Sequence, residues 1–171
     1  MVKRRTLLSM GLFLPAAAFI AGTPSPSQAA GTVVNVSLWD KGFDVPMATD
    51  LGFPATGKDM SKATMGIAVS EDYVKPGEVT FEVLNSSEDT IHEMIIARLK
   101  DLTQIFPYNS NEERVEEDRI EDLGEVSELD PGASGALRLD LKPGSYLLFC
   151  NIPGHFRAGM WTVFTVTTTG Q

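Results

Sequence analysis

Ser145 to Thr167 reads SYLLFCNIPGHFRAGMWTVFTVT, and the reading of this stretch decides the fold. Its two ends, Ser145 to Cys150 and Met160 to Thr167, are apolar and rich in β-branched and aromatic residues, the composition of half-buried or buried strands. Pro153 and Gly154 interrupt the run and predict a defined turn. The stretch is therefore predicted to form two strands joined by a loop. That loop holds the chain's one cysteine, one of its two histidines and a methionine, spaced C-x₄-H-x₄-M. Cys150 ends one strand, Met160 begins the next and His155 lies between them. Three potential metal donors can thus converge above one end of a hairpin.

The same rhythm extends upstream. Thr32 to Trp39, Met65 to Ser70, Val79 to Leu84, Ile91 to Leu99 and Ala136 to Leu141 read as short strands. Lys75-Pro76-Gly77, the polar run Asn85 to Thr90, Asp130-Pro131-Gly132 and Lys142-Pro143-Gly144 punctuate them as turns. A loop rich in Gly, Pro, Asp and Met runs from Asp40 to about Ala63. Short strands with regular Pro-Gly breaks predict an all-β domain, a β-sandwich or barrel. Asp101 to Glu128 departs from the rhythm. It contains EERVEEDRIED, where Arg114 and Arg119 sit among seven carboxylates from Glu112 to Asp122. Spacings such as Arg114 to Asp118 suit a short solvated helix with weak ion pairs. The stretch is read as an insertion at about 101–128, and its acidic run Glu112 to Asp122 as solvated rather than a docking patch.

Residues 1–30 are set apart. Lys3, Arg4 and Arg5 precede an apolar run from Leu7 to Ile20 and a small, polar end, the layout of a secretory signal peptide with cleavage near Ala29 or Ala30. The Arg4-Arg5 pair hints at twin-arginine export. Membrane association is expected only if this segment is retained. The remainder, 31–171, suits one domain. Cleavage removes three of the 14 basic groups and none of the 23 acidic ones, which leaves 11 against 23 and a charge of −12 with histidine neutral. Nucleic acid binding, which needs a basic face, is excluded. An exported protein ordinarily spends cysteines in pairs; a lone Cys150 permits no internal disulfide and requires another explanation.

A fourth donor stands on a different strand. His92 follows a polar turn at the start of IHEMIIARL, where a side chain can reach the end of a sandwich. One thiolate, two imidazoles and a thioether form the His₂Cys set with a weak axial methionine that suits a blue copper site. Zinc, the main competitor, gains little from a thioether and more often takes paired cysteines in structural sites. From the composition, the linked spacing arises by chance about once in two thousand.

YLLFCNIPGHFRAGMWTVFTV resembles the copper loop of the cupredoxin (blue copper) family, and its C-x₄-H-x₄-M spacing most resembles the rusticyanin and sulfocyanin branch rather than the shorter plastocyanin loops. The resemblance is specific over Gly144 to Val166 and looser over Val79 to Arg98. It implies a Greek-key β-sandwich or barrel, with Cys150 as thiolate ligand, His92 and His155 as imidazole ligands and Met160 as the long axial ligand of one type 1 copper ion. The function it implies is that of an exported, periplasmic one-electron carrier, monomeric and not an enzyme, with redox partner proteins docking transiently near His155. Copper sequestration, delivery or tolerance is the alternative, since it uses the same ligands. An enzyme with Cys150 and His155 as nucleophile and base lacks an orienting group. The sequence departs from the family at Glu93, where many relatives carry Asn or a small polar residue that helps tie the ligand loops together. An ionised carboxylate there would favour Cu(II). Phe149, Phe156 and Trp161 read as packing around the site, with exposed rings near His155 suited to docking. Met47, Met60, Met65 and Met94 form no repeated motif and read as core or loop residues.

Overall fold

In strand β1 (Thr32–Asp40) strict alternation puts Val34, Val36 and Leu38 on one face, and all three are buried. The computed structural model describes residues 31–168; the segment 1–30, read above as a signal peptide, lies outside the described residues. Strand β1 lies between β2 (Met65–Val69), which it pairs antiparallel, and β4 (Gly77–Asn85), which it pairs parallel. Strand β9 (Ser134–Leu141) closes this sheet on the far side of β4, giving the order β2-β1-β4-β9. The second sheet contains β3 (Tyr73–Val74), β5 (His92–Leu99), β8 (Asp122–Leu129), β10 (Gly144–Phe149) and β11 (Trp161–Val166), in the order β3-β11-β10-β5-β8. The hairpin predicted over Ser145 to Thr167 is the β10–β11 pair, in register from Gly144 opposite Val166 to Phe149 opposite Trp161.

The two sheets form a β-sandwich. Val34, Leu38, Phe81, Val83, Met94, Ile96, Tyr146, Leu148 and Phe164 fill its interior. Each such side chain contributes about 1.5–3 kcal/mol by leaving water. Cys150 and Met160 belong to the same cluster at one end, so the candidate site is built into the core.

Strands β5 and β10 do not alternate in sequence, and the reason is non-local. Their second faces are also covered. Ile95, Ala97, Leu99, Leu147 and Phe149 pack with Phe53, Phe106, Val115 and Phe156 in a separate cluster. Phe106 lies edge-on to Phe149 and stacks on Phe156.

The cover comes in part from the segment 101–128, where Phe106 and Val115 are buried although the carboxylates of its acidic run are not. Residues 122–129 are strand β8, paired antiparallel with β5. Its carboxylates Asp122, Glu125 and Glu128 are exposed along an edge strand, where charge opposes edge-to-edge association. The remainder contains a small antiparallel pair, β6 (Tyr108–Asn109) with β7 (Arg114–Val115), and one 3₁₀ turn at Glu117–Arg119. The helical character is confined to that turn, with Arg119 paired to Glu116 rather than Arg114 to Asp118.

Candidate metal centre

The loop after β10 is a compact coil of turns. His155 N–H donates to Ile152 O at 3.0 Å, Ala158 N–H to Gly154 O at 2.9 Å, and Met160 N–H to His155 O at 3.1 Å. Cys150 N–H donates to Met160 O at 3.1 Å, which continues the β10–β11 ladder by one step and holds the two sulfur residues side by side. Gly154 and Gly159 take φ of +84° and +101°, values that other residues adopt only at a cost. Cys150 and Met160 are fully buried and His155 is 5% exposed. His92, the first residue of β5, approaches from the neighbouring strand and is also fully buried.

Three of the four sequence-derived residues come together around one point. A ligand atom from each of His92, Cys150 and His155 lies within 4.8 Å of the others. The Nδ1 atoms of the two rings are 3.3 Å apart, and Cys150 Sγ is 3.4 Å from Nδ1 of His155. Met160 joins them through the backbone bonds just described.

One site residue was not foreseen. Asp40, read as the start of a loop, is the last residue of β1, and its Oδ2 accepts from Nε2 of His92 at 2.7 Å. A carboxylate only accepts, so Nε2 carries the ring proton and Nδ1 keeps its lone pair toward Cys150 and His155. Asp40 Oδ1 also accepts from Gly42 N–H at 2.7 Å. Burial would raise the Asp40 pKa, but hydrogen bonds from Ser87, Gly42 and His92 outweigh it and hold the carboxyl below its usual value. No sequence signal marked this role, because Asp two residues before Gly reads as an ordinary turn former.

The titration of the other groups follows from burial. Desolvation lowers His155 to about 4, assisted by the neighbouring charge of His92, and lowers His92 against the opposing pull of Asp40. Both imidazoles are thus neutral donors at neutral pH. Burial pushes the Cys150 thiol up to about 12, although the N–H groups of Glu93 and Ile152 favour the thiolate. Without a cation the thiol stays protonated, and a buried protonated thiol is a poor nucleophile.

Glu93 occupies the departure noted in the sequence. Its Oε1 accepts from the backbone N–H of Asn151 at 3.0 Å, so it ties β5 to the residue after Cys150. Burial raises its pKa and weakens its claim to be the charge beside the metal. Asn151 in turn binds the acidic segment. Its Oδ1 accepts from Val115 N–H at 2.6 Å, and its Nδ2 donates to Val115 O at 3.0 Å and to Glu117 Oε1 at 2.5 Å. Gly154 N–H donates to Glu113 O at 2.9 Å. Residues 113–117 therefore brace the loop.

Access to the site is narrow. A cleft of about 220 Å³ opens onto His155 between Asp40, Phe43, Val45, Met47 and Met65. Phe43 is 80% exposed, and Val45 and Met47 are exposed beside it. The exposed apolar groups near His155 thus come from the loop after β1. Phe149 and Phe156 are buried and Trp161 is half-buried, with its Nε1–H bonded to Leu51 O.

A buried set of one thiol, two neutral imidazoles and an adjacent thioether fits copper: the soft sulfurs suit Cu(I) and imidazole suits both oxidation states. The family model of the sulfocyanin (SoxE) domain matches residues 126–170, the part of the chain that carries Cys150, His155 and Met160. This agrees with the branch that the loop spacing resembles. No curated protein sequence matches the chain. Among solved structures, the chain is similar to auracyanin from Roseiflexus castenholzii, at 17% identity over 81% of this chain and 98% of that one, with a TM-score of 0.48. It is also similar to rusticyanin from Thiobacillus ferrooxidans, at 18% identity over 81% and 79% of the two chains, with a TM-score of 0.48.

Proposed function

We propose that this chain is an exported type 1 copper protein of the sulfocyanin kind that carries single electrons, with His92, Cys150, His155 and Met160 as ligands. The observation that carries the reading is the convergence of three buried donors, within 4.8 Å, on one point beside Met160. Bound copper would supply the one-electron couple between Cu(II) and Cu(I). The chain's own residues do the rest. Cys150 gives up its proton to act as thiolate, and the N–H groups of Glu93 and Ile152 facing its sulfur favour that form. His92 and His155 offer neutral ring nitrogens, and the core around Cys150 and Met160 excludes water. Donors held by packing and by the braced loop have little freedom to rearrange between oxidation states, which favours fast electron exchange.

The opening at His155, rimmed by Phe43, Val45 and Met47, suits transient contact with a redox partner protein, because small apolar patches associate weakly and release readily. Export rests on the basic-apolar-polar order of residues 1–30. Burial of the ligands favours retention of the metal over its delivery. Stopped-flow mixing tests this choice. Electron exchange with a small redox reagent that outpaces copper loss to a chelating acceptor is expected, and the reverse order would replace the carrier by a copper-handling protein.

A further inference from the structure

We infer that Asp40 is a positioning residue of the metal centre: its carboxylate fixes the ligating tautomer of His92 and sets a negative charge one hydrogen bond from that ligand ring, lowering the reduction potential. The inference rests on the copper reading above, and it concerns a residue outside the four ligands.

The geometry leaves little freedom. Asp40 is anchored at the end of β1, opposite Met65 of β2. Both of its oxygens are engaged, Oδ1 by Gly42 N–H and Oδ2 by His92 Nε2, each at 2.7 Å. The Asp40 and His92 side chains are 5% and 0% exposed. Among the described residues no lysine or arginine pairs with Asp40, and its partner His92 is neutral. A buried carboxylate without a cation is costly, and a metal on the far nitrogen of the same ring would supply the missing positive charge. The more positive oxidation state gains more from that arrangement, so the carboxylate favours Cu(II) over Cu(I). Outer partners of this kind orient the ring and raise its basicity.

Asp40→Asn probes both effects. An asparagine has one acceptor oxygen for the donors that share the carboxylate, the Ser87 hydroxyl, Gly42 N–H and His92 Nε2–H. If the oxygen stays on Gly42, the amide N–H₂ faces the ring and drives the proton to Nδ1. Long-range ¹H–¹⁵N correlation on the metal-free protein reads this directly. Wild type is expected to be protonated at Nε2, Asp40→Glu to keep that form, and Asp40→Asn to populate the Nδ1–H form. After copper loading, Asp40→Asn should lower the Cu(II) to Cu(I) affinity ratio by about tenfold, which raises a one-electron potential by about 59 mV.

A wild-type His92 protonated at Nδ1 overturns the positioning role without recourse to any variant. A variant that loses stability but keeps the wild-type tautomer and potential makes Asp40 merely structural and also overturns it. Failure of the wild type to take up copper would sink the copper reading instead, while the tautomer still decides what Asp40 does to His92.

Discussion

The side chain of Asn151 pairs with the backbone of Val115 at both ends, accepting from its N–H at 2.6 Å and donating to its carbonyl at 3.0 Å. Asn151 follows Cys150 directly, and Val115 belongs to the acidic segment, so one amide joins the candidate metal loop to the cover of the β5–β10 face. All these groups are buried. Asn151→Ala leaves a donor and an acceptor on Val115 without partners, at about 1–3 kcal/mol each. Urea unfolding of the metal-free protein should register a loss of about 2–4 kcal/mol, with Asn151→Asp no better, because a carboxylate cannot donate to Val115 O.

The two glycines of the loop should respond unequally. A Cβ on Gly154 would meet the terminal Cε of Met47 at 3.0 Å, and that flexible end can swing away. A Cβ on Gly159 would meet Cβ of Ala63 at 2.8 Å, which cannot. Both positions have positive φ, so each alanine carries about 1 kcal/mol of backbone strain. Gly159→Ala should add a steric cost, unfold at lower denaturant than Gly154→Ala, and disturb the neighbouring Met160 more.

The metal-free protein should lose stability on mild acidification. Unfolded His155 takes a proton near 6.5 and folded His155 only near 4. Between those values the unfolded state binds more protons, so the contribution is full above about 6.5 and is lost as pH falls toward 4. His92 shifts in the same direction, whereas Glu93, raised by burial, acts oppositely. Denaturation series at several pH values should show a drop of up to about 3 kcal/mol across this window. The slope should flatten in His155→Gln.

Docking at the His155 cleft predicts a separation of rate from colour. Phe43 and Met47 are exposed beside the opening, and neither is among the four candidate ligands. Phe43→Glu or Met47→Lys should leave the copper absorption unchanged while slowing electron exchange with a protein partner. Equal rates for wild type and both variants would move the docking surface elsewhere.

The sequence was legible where the chemistry is local. Cys150, His155 and Met160 lie within eleven residues on one hairpin, and the alternation in β1, β4 and β9 follows from one buried face per strand. What escaped depends on distant chain. Asp40 meets His92 across 52 positions, and its local signal was that of a turn. Strand β8 hid in the acidic run because an edge strand presents its charges to water. The doubly buried β5 carries no period, since its second face is closed by residues that precede and follow it far along the chain. Glu93 was recognisable as a departure, but its bond to Asn151 and its burial were not.

The central claim is that His92, Cys150, His155 and Met160 hold one copper ion through a thiolate bond. Titration of the purified metal-free protein with Cu(II), followed by visible absorption, tests it most directly. Intense sulfur-to-copper charge-transfer colour should rise to saturation at one equivalent and be absent in Cys150→Ser. Full occupancy by copper in a colourless wild-type protein would contradict the account.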